Sequence, residues 1–360
     1  MPLLGRSIGV AVDLAGCPNR CRHCYLGCGP NLRLKPEALR WVAEAFWSCT
    51  GPGEHTPYFD RVAVASWYRE PDYAEDYKAL HDLEAELSRG KPRRYELLSA
   101  WRLARDPAYA PWARERGPRT CQLTFFGTED ATDHFFRRQG AFADNLAATE
   151  RLLEAEMIPR WQIILAKPGL DSLAALVSLA SELRLSERVA AIGGEFDIFC
   201  HPPSPDGEAW EIENLRVDQA DLARIPGELM EATRKHFRGT VNWQPEAELV
   251  ARALGGDPIP AYVPDETWFF VNSRYDVFSN YGELTPAWRL GNLMRNRVSA
   301  VVDAFETAAT PGLRGAFHVP DAELAERFGR RDSRALYSPS DAKARWVHLF
   351  CEERLSRTAD

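Results

Sequence analysis

Four of the eight cysteines in this 360-residue chain, Cys17, Cys21, Cys24 and Cys28, fall within twelve residues of one another. The first three stand in C-x3-C-x2-C spacing in residues 10–27, VAVDLAGCPNRCRHCYLG, directly after a strand-like apolar run. Three closely spaced thiolates on one loop can hold three irons of a [4Fe–4S] cluster and leave the fourth iron open to an exogenous ligand. A zinc site is the competing chemistry, with Cys28 or His23 as the fourth ligand, although structural zinc sites usually draw two ligand pairs from separate turns. No second C-x2-C pair exists in the chain. Cys49, Cys121, Cys200 and Cys351 are scattered, so the cysteines do not read as a disulfide framework. In a reducing compartment such a cluster suggests metal or redox chemistry.

The rest of the composition is that of a globular protein, 45% hydrophobic and 27% charged, with enough apolar residues for one large core or two smaller ones. Lys+Arg 44 against Asp+Glu 52 gives a formal charge of −8, which disfavours a groove-reading nucleic-acid binder. Apolar runs are strand-sized, too short to span a bilayer, and the N-terminus lacks the features of a secretory signal. The expected location is the cytoplasm.

The elements that must position the cysteine loop follow from periodicity. Strand candidates at 8–14, 61–68, 95–103, 120–126, 160–166 and 189–200 alternate with helix-like stretches, of which 144–156 and 173–185 are clear. Six strands alternating with crossovers predict parallel βα units. Along 8–14, Ile8, Val10, Val12 and Leu14 share one side and Gly9, Ala11 and Asp13 the other. Gln122 and Thr124 oppose Cys121, Leu123 and Phe125; Glu195 and Asp197 oppose Phe196 and Ile198. Isolated polar groups on one face suit strands lining a lumen, so the expected α/β fold is a partial (β/α)6 TIM-type barrel. It would occupy residues 1–240, with a linker at 241–264 and a smaller α+β extension at 265–360 carrying its own strand candidate at 267–271.

With these residues in place, the chain resembles the radical S-adenosylmethionine (radical SAM) superfamily, whose C-x3-C-x-aromatic-C motif is matched by Cys17, Cys21, His23 and Cys24. The resemblance implies one [4Fe–4S] cluster on Cys17, Cys21 and Cys24, with S-adenosyl-L-methionine on the open iron. It implies reductive cleavage to a 5′-deoxyadenosyl radical that abstracts hydrogen from substrate, and a flavodoxin- or ferredoxin-type electron donor. His23 would pack near the adenine. Residues 61–71, RVAVASWYREP, look like the second strand and its Gly-Gly-Glu-Pro turn, reduced here to Tyr68-Arg69-Glu70-Pro71, so Glu70 would meet the SAM amino group. Gly193-Gly194-Glu195 lies too far along the chain for that role. Residues 122–156 resemble the fourth strand and following helix of peptide-modifying members, which assigns Thr124 and Arg138 to the cofactor.

Residues 267–305, with the Arg289-Leu290-Gly291-Asn292-Leu293 turn, look like the SPASM extension of such enzymes. True SPASM regions carry several cysteines for auxiliary clusters, whereas residues 202–350 contain none, so this copy is expected to hold no second cluster. The substrate implied is a natural product, a small metabolite or a ribosomal peptide. A first strand near residue 8 leaves no room before it for a leader-binding domain. Asp13, Gln122, Glu195 and Asp197 are candidate polar anchors for that substrate, and Cys200 a candidate hydrogen donor to a substrate radical. The competing function is a non-catalytic iron–sulfur or zinc protein that binds a partner.

Overall fold

A computed structural model of the chain describes residues 2–51, 56–90 and 96–356. Its strands are β1 (Ser7–Val12), β2 (Arg61–Ala65), β3 (Thr120–Phe125), β4 (Ile158–Ile164), β5 (Asp197–His201), β6 (Gln244–Pro245), β7 (Trp268–Val271), β8 (Asp276–Ser279), β9 (Gly291–Asn292) and β10 (Leu336–Tyr337). The first helices are α1 (Pro36–Trp47), α2 (Tyr77–Leu87), α3 (Ala100–Arg105), α4 (Tyr109–Glu115), α5 (Glu129–Phe136), α6 (Ala141–Glu154), α7 (Leu173–Glu182), α8 (Leu185–Ala191) and α9 (Gly227–His236). Beyond them come α10 (Glu246–Leu254), α11 (Val298–Glu306), α12 (Pro311–Phe317), α13 (Asp321–Phe328) and α14 (Pro339–Ser356).

Helices form where apolar residues recur at helical spacing. In α1, Leu39, Val42, Ala43 and Phe46 make one buried stripe, and Pro36 begins the helix where its missing N–H costs nothing. The stripe of α7 is Leu173, Leu176, Val177 and Ala180. β1, apolar at four of its six positions, is buried along nearly its whole length, whereas β3 alternates half-buried and buried residues.

The strands do not form the expected barrel. Among the described residues, β2-β1-β7-β8-β9 make one five-stranded sheet and β3-β4-β5 a second of three, and neither closes or curls strongly. β6 and β10 make a separate antiparallel pair. The break falls where the expected strand at 95–103 is missing. Tyr95 lies outside the described residues; Ala100–Arg105 is α3, begun by Ser99, whose Oγ accepts from Arg102 N at 3.1 Å. A buried Arg102 holds that helix in place by donating to the carbonyls of Asp72, Tyr73 and Ala74 at 2.6–2.9 Å. The expected strand at 189–200 is also shorter: α8 fills its first part, and extended pairing begins only at Asp197, after the Gly193-Gly194 turn.

β1 takes its second partner from far along the chain. β2 pairs with it in parallel, Ser7 opposite Arg61 to Ala11 opposite Ala65, and β7 pairs on its other edge, Gly9 opposite Trp268 to Val12 opposite Val271. Gly9 is required there. A Cβ at that position would stand 2.1 Å from carbons of the Trp268 indole, so only glycine lets the ring lie across β1. No described helix is long and apolar enough to cross a membrane.

Candidate functional site

The cysteine loop leaves the end of β1 and is pinned on three sides. Gly16, at φ +84°, makes the first turn; a Cβ there would be 2.0 Å from Asn31 Oδ1. Asn31 closes the loop base, accepting from Cys17 N at 3.1 Å and donating to Cys17 O at 2.8 Å. Asp13 accepts from Gly16 N at 3.0 Å and pairs with Arg69, which also donates to Gly29 O at 2.6 Å. Glu208 accepts from Cys28 N at 3.0 Å, and its own N–H donates to Cys24 O at 2.9 Å.

The thiols on this loop are neighbours whose pKa values burial raises. Burial pushes the Cys17 and Cys21 thiols far above the ordinary cysteine range and Cys24 up to about 11. The Glu70 carboxylate adds to the rise at Cys17 and Cys21. Cys17 Sγ lies 3.8 Å from Glu70 Oε2, Cys24 Sγ 3.9 Å from Gly27 O and Cys28 Sγ 3.8 Å from Cys21 O. Among the described residues, no group of three or more His, Cys, Asp or Glu is placed to hold a metal ion. This corrects the expectation of a [4Fe–4S] cluster with S-adenosyl-L-methionine on it. Spacing along the chain brings Cys17, Cys21 and Cys24 near one another, but a ligand set also needs thiolates turned to a common centre. Here Cys17 is turned to the Glu70 carboxyl, and Cys24 and Cys28 to backbone carbonyls.

The other expected site residues divide between two places. Around the loop, Glu70 accepts from Ser99 Oγ at 2.5 Å, and burial lifts its carboxyl to about 7. Arg138 donates to Asn19 Oδ1 and Asp144 Oδ2, both at 2.6 Å, and its charge acts on Glu70. His23 lies between the rings of Phe126 and Phe136, with centroids 4.9 and 5.9 Å away, and burial lowers its pKa to about 3. Among the described residues its Nδ1 finds no hydrogen-bond partner.

Thr124 belongs instead to a polar row across the second sheet. Gln122 Nε2 and Thr124 Oγ1 both donate to Gln162 Oε1, at 2.9 and 3.0 Å. That fixes the amide of Gln162, whose Nε2 donates to His201 Nε2 at 2.6 Å. His201 Nδ1 in turn donates to Pro202 O at 2.7 Å, so the ring is neutral, as its burial also favours. Asp197 lies on the same face, 3.0 Å from Arg160 Nε and 2.8 Å from His236 Nδ1. Glu195 is outside this row, 69% exposed and paired with Lys235. Cys200 points to the opposite, helix-covered face: it is fully buried, its Sγ 3.3 Å from Thr233 Oγ1 of α9.

Between the sheets and the C-terminal helices lies a cavity of about 870 Å³. Ala11 and Ala65 form its floor, Trp268 and Phe270 of β7 one wall, and Gln162 and His201 another. α14 contributes Asp341, Lys343 and Ala344, and the loop after β5 contributes Ser204 and Asp206. Asp206 accepts from Ser204 Oγ at 2.7 Å; burial, and then the charges of Glu283 and Asp341, raise its pKa to about 7. Gln162, His201, Asp206 and Asp341 were not singled out in the sequence. Only the alternation of Gln162 with Trp161 and Ile163 along β4 could have marked one of them.

No family model matches the sequence, and no curated protein matches it. Solved structures do. Native anSMEcpe with bound AdoMet and a Cp18Cys peptide superposes with a TM-score of 0.55 at 14% identity, covering 98% of this chain and 99% of that one. The same protein with AdoMet and a Kp18Cys peptide gives 0.54 at 13% identity, over 98% and 99% of the two chains. Streptococcus suis SuiB bound to its precursor peptide SuiA gives 0.46 at 11%, over 95% and 71%. From end to end, then, this chain shares the fold of anSMEcpe.

Proposed function

We propose that this chain is an enzyme of the radical SAM fold that acts on a natural-product substrate, a peptide or a small metabolite, held in the cavity between its sheets. The observation that carries this reading is the cavity itself: about 870 Å³, walled by the two larger sheets and by the C-terminal helices, with polar groups set among aromatic side chains. Such a volume suits a peptide side chain with its flanking backbone, or a metabolite of similar size. Likeness to anSMEcpe, whose structures hold a peptide, supports the peptide. No step is assigned to an iron–sulfur cluster, because the cysteine loop as it stands does not fit one. The residues present bind and orient. The Gln122–Thr124–Gln162–His201 row offers fixed dipoles, and the aromatic wall keeps water from the substrate.

A second reading is favoured by the cysteine loop: a protein that binds its ligand on this fold without turning it over. One experiment separates them. Protein purified without oxygen is incubated with AdoMet and dithionite, and 5′-deoxyadenosine is measured against a control of the same protein heat-denatured. Nucleoside formed by the wild type and absent from the control supports the enzyme. None from either sample leaves the binding reading.

A further inference from the structure

The cavity wall is unbalanced in charge. Asp206, Asp265, Asp341, Glu84 and Glu266 contribute carboxylates to it, and the one lysine among the described residues that line it, Lys343, is held by Asp321 at 2.7 Å. Among the described residues, neither Asp206 nor Asp341 is in an ion pair. Each accepts a single serine hydroxyl at 2.7 Å, Ser204 to Asp206 and Ser338 to Asp341. A hydroxyl satisfies one lone pair of a carboxylate and leaves its charge uncompensated. The same lining carries Trp268 and Trp288, and indole rings attract cations and cover the methylene stems that carry them.

We propose that this cavity takes a cationic group, the ammonium or guanidinium of a free amine or of a lysyl or arginyl side chain, between its aromatic wall and its carboxylates. The proposal rests on the reading that the cavity holds the substrate, and it names that substrate's chemical class. The guest proposed is an organic cation, because aromatic side chains that would cover a methylene stem line the same cavity as the acids. An anion would face repulsion from Asp206 and Asp341, and a neutral isostere would leave their charge unpaired in a confined space. A volume of about 870 Å³ also exceeds an ammonium many times over, so the charged tip arrives with a body attached.

Calorimetric titration tests this without any turnover. The probes are agmatine, the blocked pentapeptide acetyl-Ala-Ala-Lys-Ala-Ala-amide, and the same peptide with norleucine or glutamate in place of lysine. The proposal expects agmatine or the lysyl peptide to bind at least about tenfold more tightly than the norleucine and glutamyl peptides. Asp341→Asn and Asp206→Asn should each weaken the cation by about tenfold and leave the norleucine peptide unchanged, at a thermal midpoint no lower than that of wild type. Agmatine bound more tightly than the lysyl peptide identifies a small amine as the source, and the reverse order a peptide. Norleucine binding as tightly as lysine, no cation binding at millimolar concentration, or no effect of either variant overturns the proposal. Cation binding without 5′-deoxyadenosine formation would retain this site and remove the enzyme reading. Turnover with no preference for cations would do the opposite.

Discussion

In the sheet built on β1, the face toward the cavity carries Gly9, Ala11 and Ala65, small enough for Trp268 and Phe270 to lie beside them. The matching face of β3–β5 carries Gln122, Thr124, Gln162 and His201, joined by hydrogen bonds at 2.6–3.0 Å. The first face is specified by volume and the second by pairing of donors with acceptors. Volume errors are felt through rigid backbone, whereas pairing errors leave single polar groups unsatisfied. A cavity between two such faces has one wall that excludes water and one that can orient a guest.

The comparison is broken most severely at Gly9. Valine there drives a branched side chain into the Trp268 indole, at a cost of at least about 3 kcal/mol, and the β1–β7 pairing should fail. Urea unfolding measures it, and adding Trp268→Ala should recover part of the loss. A wild-type midpoint for Gly9→Val would mean that the face is not set by volume. On the polar face the expected effect is smaller. Gln162→Leu keeps the bulk but strands Gln122, Thr124 and His201, and should cost about 1–3 kcal/mol in the same assay.

A pH series sharpens the account further. Asp206, ordinarily 3.8, titrates near 7 in the folded chain, so between those values the folded state holds more protons than the unfolded one. Stability from this group is therefore lost as pH rises from about 4 to about 7. Asp206→Asn should be increasingly more stable than wild type from pH 4.5 to pH 8, measured by urea midpoint. Equal offsets at every pH would remove Asp206 from the buried wall. The smallest effect is expected at Glu195, whose exposed pair with Lys235 should give Glu195→Ala a stability within about 0.5 kcal/mol of wild type.

Much of this architecture was legible in local pattern. The split of β1 into Ile8, Val10 and Val12 on one side and Gly9 and Ala11 on the other is period-two alternation. The buried stripe of α7 likewise follows from helical spacing. What failed was the assembly of strands into one barrel, since pattern identifies a strand but not its neighbours. β1 chose β7, some 260 residues away, because Gly9 leaves room for Trp268, a match between two residues that no window contains. The segment at 95–103 misled because Leu97, Leu98 and Leu103 read as an apolar run, while Ser99 starts a helix within it. At the cysteine loop the spacing was plain in the sequence. Orientation and charge state were not, and they follow from burial beside Glu70. Asp206 and Asp341 escaped notice because acids in a loop and in a helix's first turn are commonplace until the fold sets them around one cavity.

The central claim is that the cavity between the sheets is the ligand site, and plugging it tests that most directly. Ala344 of α14 lines the cavity, whose volume of about 870 Å³ is larger than an indole. Agmatine and the lysyl pentapeptide would be titrated into wild type and Ala344→Trp, with thermal midpoints recorded for both. The account predicts a variant that melts within about 4 °C of wild type yet binds the cation at least about tenfold more weakly. A folded Ala344→Trp that binds it as tightly as wild type would contradict the account.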